Sequence, residues 1–514
     1  MQKETIHLDV YRDPWIDAKL LDGCEEKLSL RDCLEKANSI KSLSINDAHF
    51  DLDSTVPYTL LTIILGRVFA PSRDNKLDML ENGKFDLAAV DEYIASCESK
   101  GISFDVFDSK RPFLQDPEIR KEAKFSTVGI LDPLMVSGNN TVFYHNRNYN
   151  TCGMAVEDTL SMSPECFIAS VARNHMYHNA SGQGCATGYS PSQPPLHGLL
   201  HGKNLHETLV LSIPNNLYGI PLWERPYNMT VPELTQRCGN LDYISAAFLP
   251  TTSIRFNEIS QGKVKSILYC GNIYKEPGRE KQKPKEFTSQ FYSKGNTGFN
   301  LFLRKVKVKK EETILPLTMN TSGGDFTPTI LQLMQNYGSI GDQEFITEAL
   351  DEELLNGPIR LVVYGGILSS NSDEPQTMCF DMDLLPEMLD LDTAQYIKNI
   401  ASFIKAASEN LRYCLLGLEQ ETQHGAPNES GAVKTIVRHF TEYACDQLVP
   451  KTNLHDTWIE RIASQPTKMV QQEIFDEIQI WAKSVFRSYR TNHILLASKY
   501  MRILDSMLKK AAEN

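Results

Sequence analysis

Thr393 to Glu419 reads TAQYIKNIASFIKAASENLRYCLLGLE, and its apolar residues return at the period of a helix with one face turned to a core. Three segments of the same kind follow, Ala432 to Leu448, Lys468 to Arg490 and Asn492 to Ala512, joined by polar loops such as Gln423 to Gly431. Long amphipathic helices in succession bury their stripes against one another, so the end of the chain is expected to be a helical bundle. No glycine-rich or motif-bearing loop interrupts it, which makes it a docking or scaffolding module.

Working back from the bundle, the pattern becomes mixed. Ile359 to Tyr364 and Thr377 to Met382 read as strands paired through a small polar tip, Gly365-Gly366-Ile367-Leu368-Ser369-Ser370-Asn371-Ser372-Asp373-Glu374-Pro375. Ser253 to Phe256 looks like strand, and Leu8 to Ile16 reads as a short strand closed by Pro14. Ser29 suits the N-cap of a helix over Ser29 to Ala37. Val56 to Ala70 is apolar nearly all round, hence a buried helix too short for a bilayer. Phe85 to Lys100, Pro164 to Tyr177 and Leu205 to Ile213 also read as helices.

At 514 residues the chain exceeds what one core serves, so two or more domains are expected. A net charge of −13 argues against a protein coated in nucleic acid or lying on an anionic membrane, yet leaves room for a local basic groove. The 11 cysteines form no C-x-x-C, and no signal peptide or long apolar run is present; the expectation is a cytoplasmic protein with free, mostly buried thiols.

Three stretches stand out. Asn179 to Gly202, NASGQGCATGYSPSQPPLHGLLHG, carries Gly182, Gly184, Gly188, Gly198 and Gly202 with Pro191, Pro194 and Pro195. Such a run abandons helix and strand; it reads either as a surface loop or as backbone that must approach phosphates or base edges closely. Ser137 to Asn150 is rich in asparagine and holds Phe143, Tyr144 and Tyr149, a solvated loop or a surface whose amides and rings meet bases. From Arg255 to Lys310, fourteen Lys and Arg face four acids, a local excess of about +10, with Tyr269, Tyr274, Phe287, Phe291 and Tyr292 interleaved. That composition fits contact with phosphates as well as it fits a solvated hairpin.

Catalytic signatures are weak. His197 and His201 with His206-Glu207 suggest a metal site, but Pro194-Pro195 and Gly198 break the helix it needs and H-E-x-x-H is absent. His455-Asp456 resembles the doublet of metal-dependent phosphohydrolases without the partners that doublet requires. No G-x-S-x-G or S-x-x-K occurs. No catalytic residue, metal or cofactor is assigned.

Taken in order, the landmarks resemble the CasA family, large subunits of the type I-E CRISPR surveillance complex Cascade. They are Asp13-Pro14-Trp15-Ile16, Ser29-Leu30-Arg31-Asp32, Phe107-Asp108-Ser109-Lys110-Arg111-Pro112-Phe113-Leu114-Gln115, the glycine-rich stretch, Gly202-Lys203-Asn204-Leu205-His206-Glu207-Thr208-Leu209, Pro221-Leu222-Trp223-Glu224-Arg225 and Gly365-Gly366 before a polar tip. The resemblance implies an α+β protein, with a mixed α/β domain over residues 1–385 and a four-helix bundle over 386–514. It implies a non-catalytic subunit that recognises the short motif beside a DNA target, the PAM, and starts duplex opening for guide pairing. Implied partners are double-stranded DNA, the crRNA 5′ handle, the small subunit and other Cascade subunits, and the Cas3 nuclease-helicase, with no membrane.

Carried over residue by residue, the resemblance puts a glycine loop on Gly182, Gln183 and Gly184. It puts a lysine finger on Lys275, with Lys281 and Lys283 as rivals, and a wedge on Ser369, Ser370 and Asn371, where the family's glutamine is missing. It puts a loop near guide RNA or the PAM on Asn139, Asn140 and Phe143. A minor-groove reader distinguishes mainly A·T from G·C, so tolerance of several PAMs is expected.

Overall fold

The chain alternates between two folded units. One comprises Met1–Met319 and Glu344–Phe380, the other Asn320–Gln343 and Asp381–Asn514. The computed structural model describes residues 6–46, 51–119, 124–127, 161–177, 196–215, 219–229, 233, 236–237, 243–248, 250, 252–271, 303–308, 311–317, 327–335, 343–355, 357–367, 376–422, 431–449, 457–489 and 493–513.

The strands among these residues are β1 (Ile16–Leu20), β2 (Glu25–Leu28), β3 (Ile40–Ser44), β4 (Lys124–Thr127), β5 (His197–His201), β6 (Thr252–Ser260), β7 (Lys263–Gly271), β8 (Leu303–Val308), β9 (Glu311–Pro316), β10 (Ile359–Ile367) and β11 (Gln376–Leu384). They form sheets in the orders β2-β1-β3, β11-β10-β5, β4-β7-β6 and β8-β9.

The expected strand before Pro14 is instead a turn, and β1 begins after it, at Ile16. The cause is local. Asp9 Oδ1 accepts from the N–H groups of Tyr11 and Arg12 at 2.9 and 3.0 Å, and Asp13 Oδ2 accepts from Asp9 N–H at 2.8 Å. Short carboxylates offer the backbone a turn in place of a ladder. Trp15 is fully buried and ties the turn down through its indole N–H to Val10 O at 2.9 Å.

Helices begin where the caps require. Ser29 and Asp32 form a capping box for Leu30–Glu35, and Asp86 accepts from Ala88 and Ala89 at the start of Leu87–Ser99. Thr55–Phe69 is buried along most of its length, as its all-round apolar sequence predicts. Near its end Arg67 makes a bidentate pair with Glu224 at 2.9 and 3.0 Å; Glu224 also accepts from Tyr93 O–H at 2.7 Å, and that hydroxyl accepts from the Trp223 indole at 2.9 Å. Burial alone would raise the Glu224 carboxyl pKa, but the Arg67 and Tyr93 bonds hold it below the usual range.

In the second unit Leu391–Thr422, Gly431–Leu448, Lys468–Ser488 and Ile494–Glu513 are the four long helices. Phe403 stacks on Phe475 at 4.2 Å and Tyr443 tilts against Trp481 at 4.3 Å. Two shorter helices have no counterpart in the sequence reading. Trp458–Ser464 begins in a Thr457–Glu460 capping box. Thr327–Gln335, upstream of the bundle in sequence, packs on Leu391–Thr422 and Gly431–Leu448. Cys33, Cys97, Cys166, Cys414 and Cys445 are buried, as expected of small apolar side chains.

Gly417, within Leu391–Thr422, is required by close approach. A Cβ there would lie 2.5 Å from Tyr500 Cε1, and the Tyr500 ring is 8% exposed with its hydroxyl on Glu421 at 2.7 Å. Alanine normally stabilises a helix interior by about 1 kcal/mol over glycine. Overpacking costs about 1–3 kcal/mol and here also moves a bonded ring. Gly417→Ala is therefore expected to lower the stability read from urea unfolding; a gain of about 1 kcal/mol would show that the ring does not sit there.

Three histidines lie beside β5: His197, buried, and His201, half-buried, on the strand, and His206, buried, at the next helix, where its ring lies 4.6 Å from Phe85. Burial pushes their pKa down, to about 3 for His197 and about 4 for His201 and His206. The unfolded chain, with histidine near 6.5, binds more protons across that window, so stability is full above about pH 6.5 and falls toward pH 4. His206→Phe is expected to flatten that fall by about one proton in the pH dependence of unfolding. An unchanged slope between about pH 4 and 6.5 would contradict burial of a neutral His206.

Candidate nucleic-acid interface

Gly182, Gln183, Gly184, Lys275, Lys281, Lys283, Ser369, Ser370, Asn371, Asn139, Asn140 and Phe143 all lie outside the described residues. The structure instead defines where the segments carrying them leave the fold and return.

The glycine-rich segment leaves at the end of the Pro164–Tyr177 helix and returns at Leu196, whose N–H donates to Leu317 O at 2.9 Å. Its two ends are neighbours: Met176 and His197 line one small cavity with Tyr58, Thr59 and Tyr364. β5 is antiparallel to β10, with His197 opposite Tyr364 and His201 opposite Arg360. The start of β5 therefore lies beside the end of β10. Three residues past Tyr364, at Ile367, β10 ends and the chain enters the 368–375 tip before β11. Two of the segments singled out in the sequence thus spring from the same end of one sheet.

The basic segment springs from β7, and the neighbours of the 164–177 helix show its direction. Met162, just before the helix, bridges to Val264 near the start of β7. Further on, Phe107 lies between Phe167 of the helix at 6.2 Å and Phe256 of β6 at 5.4 Å, and Phe256 pairs with Ile267. Near the helix end, His175 is 2.9 Å from Leu114 O, while Asp116 N–H donates to Ile254 O at 2.9 Å. Ile254 pairs with Tyr269. Helix and β7 therefore advance together, and Tyr177 and Gly271 close at the same end.

The asparagine-rich segment is anchored otherwise. β4 opposes β7 with Thr127 against Ser266, so residues 128–160 leave from the far half of β7 and return at Met162, beside Val264. At about 3.3 Å per residue this lies roughly 17–23 Å from Gly271. The anchors do not bring Asn139, Asn140 and Phe143 to the shared end.

Part of the basic count is structural. Arg255 donates to Pro117 O at 2.8 Å and Ser109 O at 2.6 Å, stapling the 109–117 turns to β6. The remaining described members include Lys305, opposite Ile314, and Lys307, opposite Glu312, on the β8–β9 hairpin.

The histidine cluster does not assemble as a metal site. On a strand, His197 and His201 are about 13 Å apart, beyond the reach of one ion. Glu207 is used locally: its carboxylate accepts from Lys203 N–H at 2.7 Å, against Gly202, where a Cβ would meet Glu207 Cβ at 2.4 Å. Among the described residues no group of three or more His, Cys, Asp or Glu could hold a metal ion, and no helix is long and apolar enough to cross a membrane.

Sequence reading missed the charge pair beneath this end. Arg173 Nη1 donates to Asp53 Oδ2 at 3.0 Å, with both side chains almost wholly buried. The available signal was an arginine within an otherwise small and apolar helix face.

The fold is similar to that of solved proteins over essentially the full chain. Thermus thermophilus CasA (Cse1) matches at 13% identity and a TM-score of 0.66, covering 99% of this chain and 100% of that one. Thermobifida fusca Cse1 matches at 16% identity and 0.63, covering 99% and 98%. A chain of a CRISPR RNA-guided surveillance complex matches at 15% identity and 0.64, covering 98% and 99%. No curated protein sequence matches. The family described as CRISPR-associated protein Cse1 matches residues 9–435, most of the chain, and the protein belongs to that family.

Proposed function

We propose that this protein is the non-catalytic large subunit of a crRNA-guided Cascade complex, which reads the PAM in double-stranded DNA, starts strand separation and helps to recruit the Cas3 nuclease-helicase. Membership of the Cse1 family and likeness to a chain of an RNA-guided surveillance complex support the setting. The observation that carries the reading is the common exit of three segments: Tyr177, Gly271 and Ile367 all close at one end of the first unit.

The chemistry follows from what those segments contain. Gly182 and Gly184 lack side chains that would hold backbone amides and carbonyls away from base edges. Lys275, with Lys281 and Lys283, supplies charge to phosphates and a donor to the acceptors of the shallow groove. Ser369, Ser370 and Asn371 are small polar groups for a wedge that parts the first pair beside the motif, a lighter insert than the family's glutamine. The bundle serves as the docking module toward the small subunit, and Asn139, Asn140 and Phe143 contribute toward the crRNA 5′ handle. The site of action is the cytoplasm.

A phosphohydrolase reading finds no support in the strand-borne histidines, and His455-Asp456 lies outside the described residues, whereas a scaffold without DNA contact is separable by experiment. Reversing Lys275, Lys281 and Lys283 to glutamate in the assembled complex is expected to weaken duplex binding by about tenfold or more. It should also lower the slope of log affinity against log salt by about one for each phosphate that is no longer neutralised. Unchanged affinity and slope in filter-binding titrations would leave scaffolding alone.

A further inference from the structure

The Arg173–Asp53 pair lies beneath the end at which the three segments emerge. Its side chains are 1% and 2% exposed and 3.0 Å apart. Burying two charges is costly, and apolar residues of similar volume often stabilise a core as well or better. Stability alone therefore does not account for an ion pair at this place.

What such a pair supplies is geometry. Asp53 belongs to the Asp51–Ser54 turn, which packs against the Pro164–Tyr177 helix, β10 and β3. It touches both elements from which the glycine segment and the polar tip depart. Arg173 stands one turn before Tyr177. Close apolar packing already restricts the helix, and a charge-assisted guanidinium–carboxylate bond adds a fixed direction as well as a distance. A slip of one residue along the helix rotates it by about 100° and removes the bond.

We infer that Arg173 and Asp53 are positioning residues for base reading: their bond sets the rotation of the helix, and so the register in which the glycine segment leaves relative to the tip after Ile367. This rests on the function proposed above. Neither residue touches DNA in this account; both act through the segments they orient.

Two variants of the full chain, assembled with the guide complex, test it. Asp53→Leu/Arg173→Met replaces the pair with apolar volume, and Arg173→Lys keeps the charge without the planar fork. Both are expected to retain the wild-type thermal midpoint within a few degrees. The ratio of affinities between the best and worst trinucleotides beside the target, measured over duplexes carrying every trinucleotide, should fall by about tenfold. That loss with folding intact is what a merely structural pair does not produce. If the double variant fails to fold, Arg173→Lys decides. A folded variant with an unchanged ratio overturns the inference, as does a ratio that falls only in step with the folded fraction. A wild-type complex indifferent to the trinucleotide removes the proposed function itself, and the inference with it.

Discussion

The pairing of β5 with β10 is the constraint on which the rest of the first unit depends. Closing a long stretch of chain to bring these strands together carries an entropy cost that local contacts cannot repay. What offsets it is apolar burial, since Leu196, Leu199, Leu200, Leu361, Val362 and Val363 are almost wholly withdrawn from water. The register then matters more than the pairing itself. Adjacent residues such as Leu199 and Leu200 point to opposite faces and both are buried, so the pair is packed on both sides with His197 opposite Tyr364. Because the glycine-rich segment returns through His197 and the polar tip begins just past Tyr364, a packing constraint decides which remote pieces of sequence become neighbours.

Charge gives that convergence a direction. The protein as a whole carries −13, which opposes indiscriminate adhesion to nucleic acid, while the stretch from Arg255 to Lys310 carries about +10. Part of the positive charge is absorbed by structure, as with Arg255 on the 109–117 turns, and part sits on the β8–β9 hairpin. Lys263 and Lys265 lie at the start of β7, and most of the rest falls on the segment that follows Gly271. In the proposed function, an acidic protein with one cationic region, leaving the fold at the end where the glycine-rich segment leaves, suits a partner that is checked at a short motif. It does not suit one gripped along its length.

Much of the fold was legible because its determinants are local. The Pro164–Tyr177 helix was bounded by its own sequence, Ser29 announced its cap, and the long bundle helices repeat their stripes. The misses have equally physical causes. Arg73–Asn82 offers few apolar residues, and its burial falls on Leu80 and the stem of Lys76, whose ammonium sits 3.9 Å from the centre of the Phe345 ring. The turn at Asp9–Asp13 wins over strand through carboxylate acceptors that a periodicity count ignores. For the candidate site, residue types were readable but their assembly was not. The β5–β10 register and the Arg173–Asp53 bond join residues far apart in sequence, which no local pattern reports.

The most direct measurement is photo-cross-linking from the DNA side. A reactive base placed in the motif beside the target, in the complete guide complex, marks whatever chain lies against it. The account predicts cross-links in peptides spanning 178–195, 272–302 and 368–375 from one and the same duplex position. Cross-links confined to the helical bundle, or to one of these three peptides with the others silent, would contradict it.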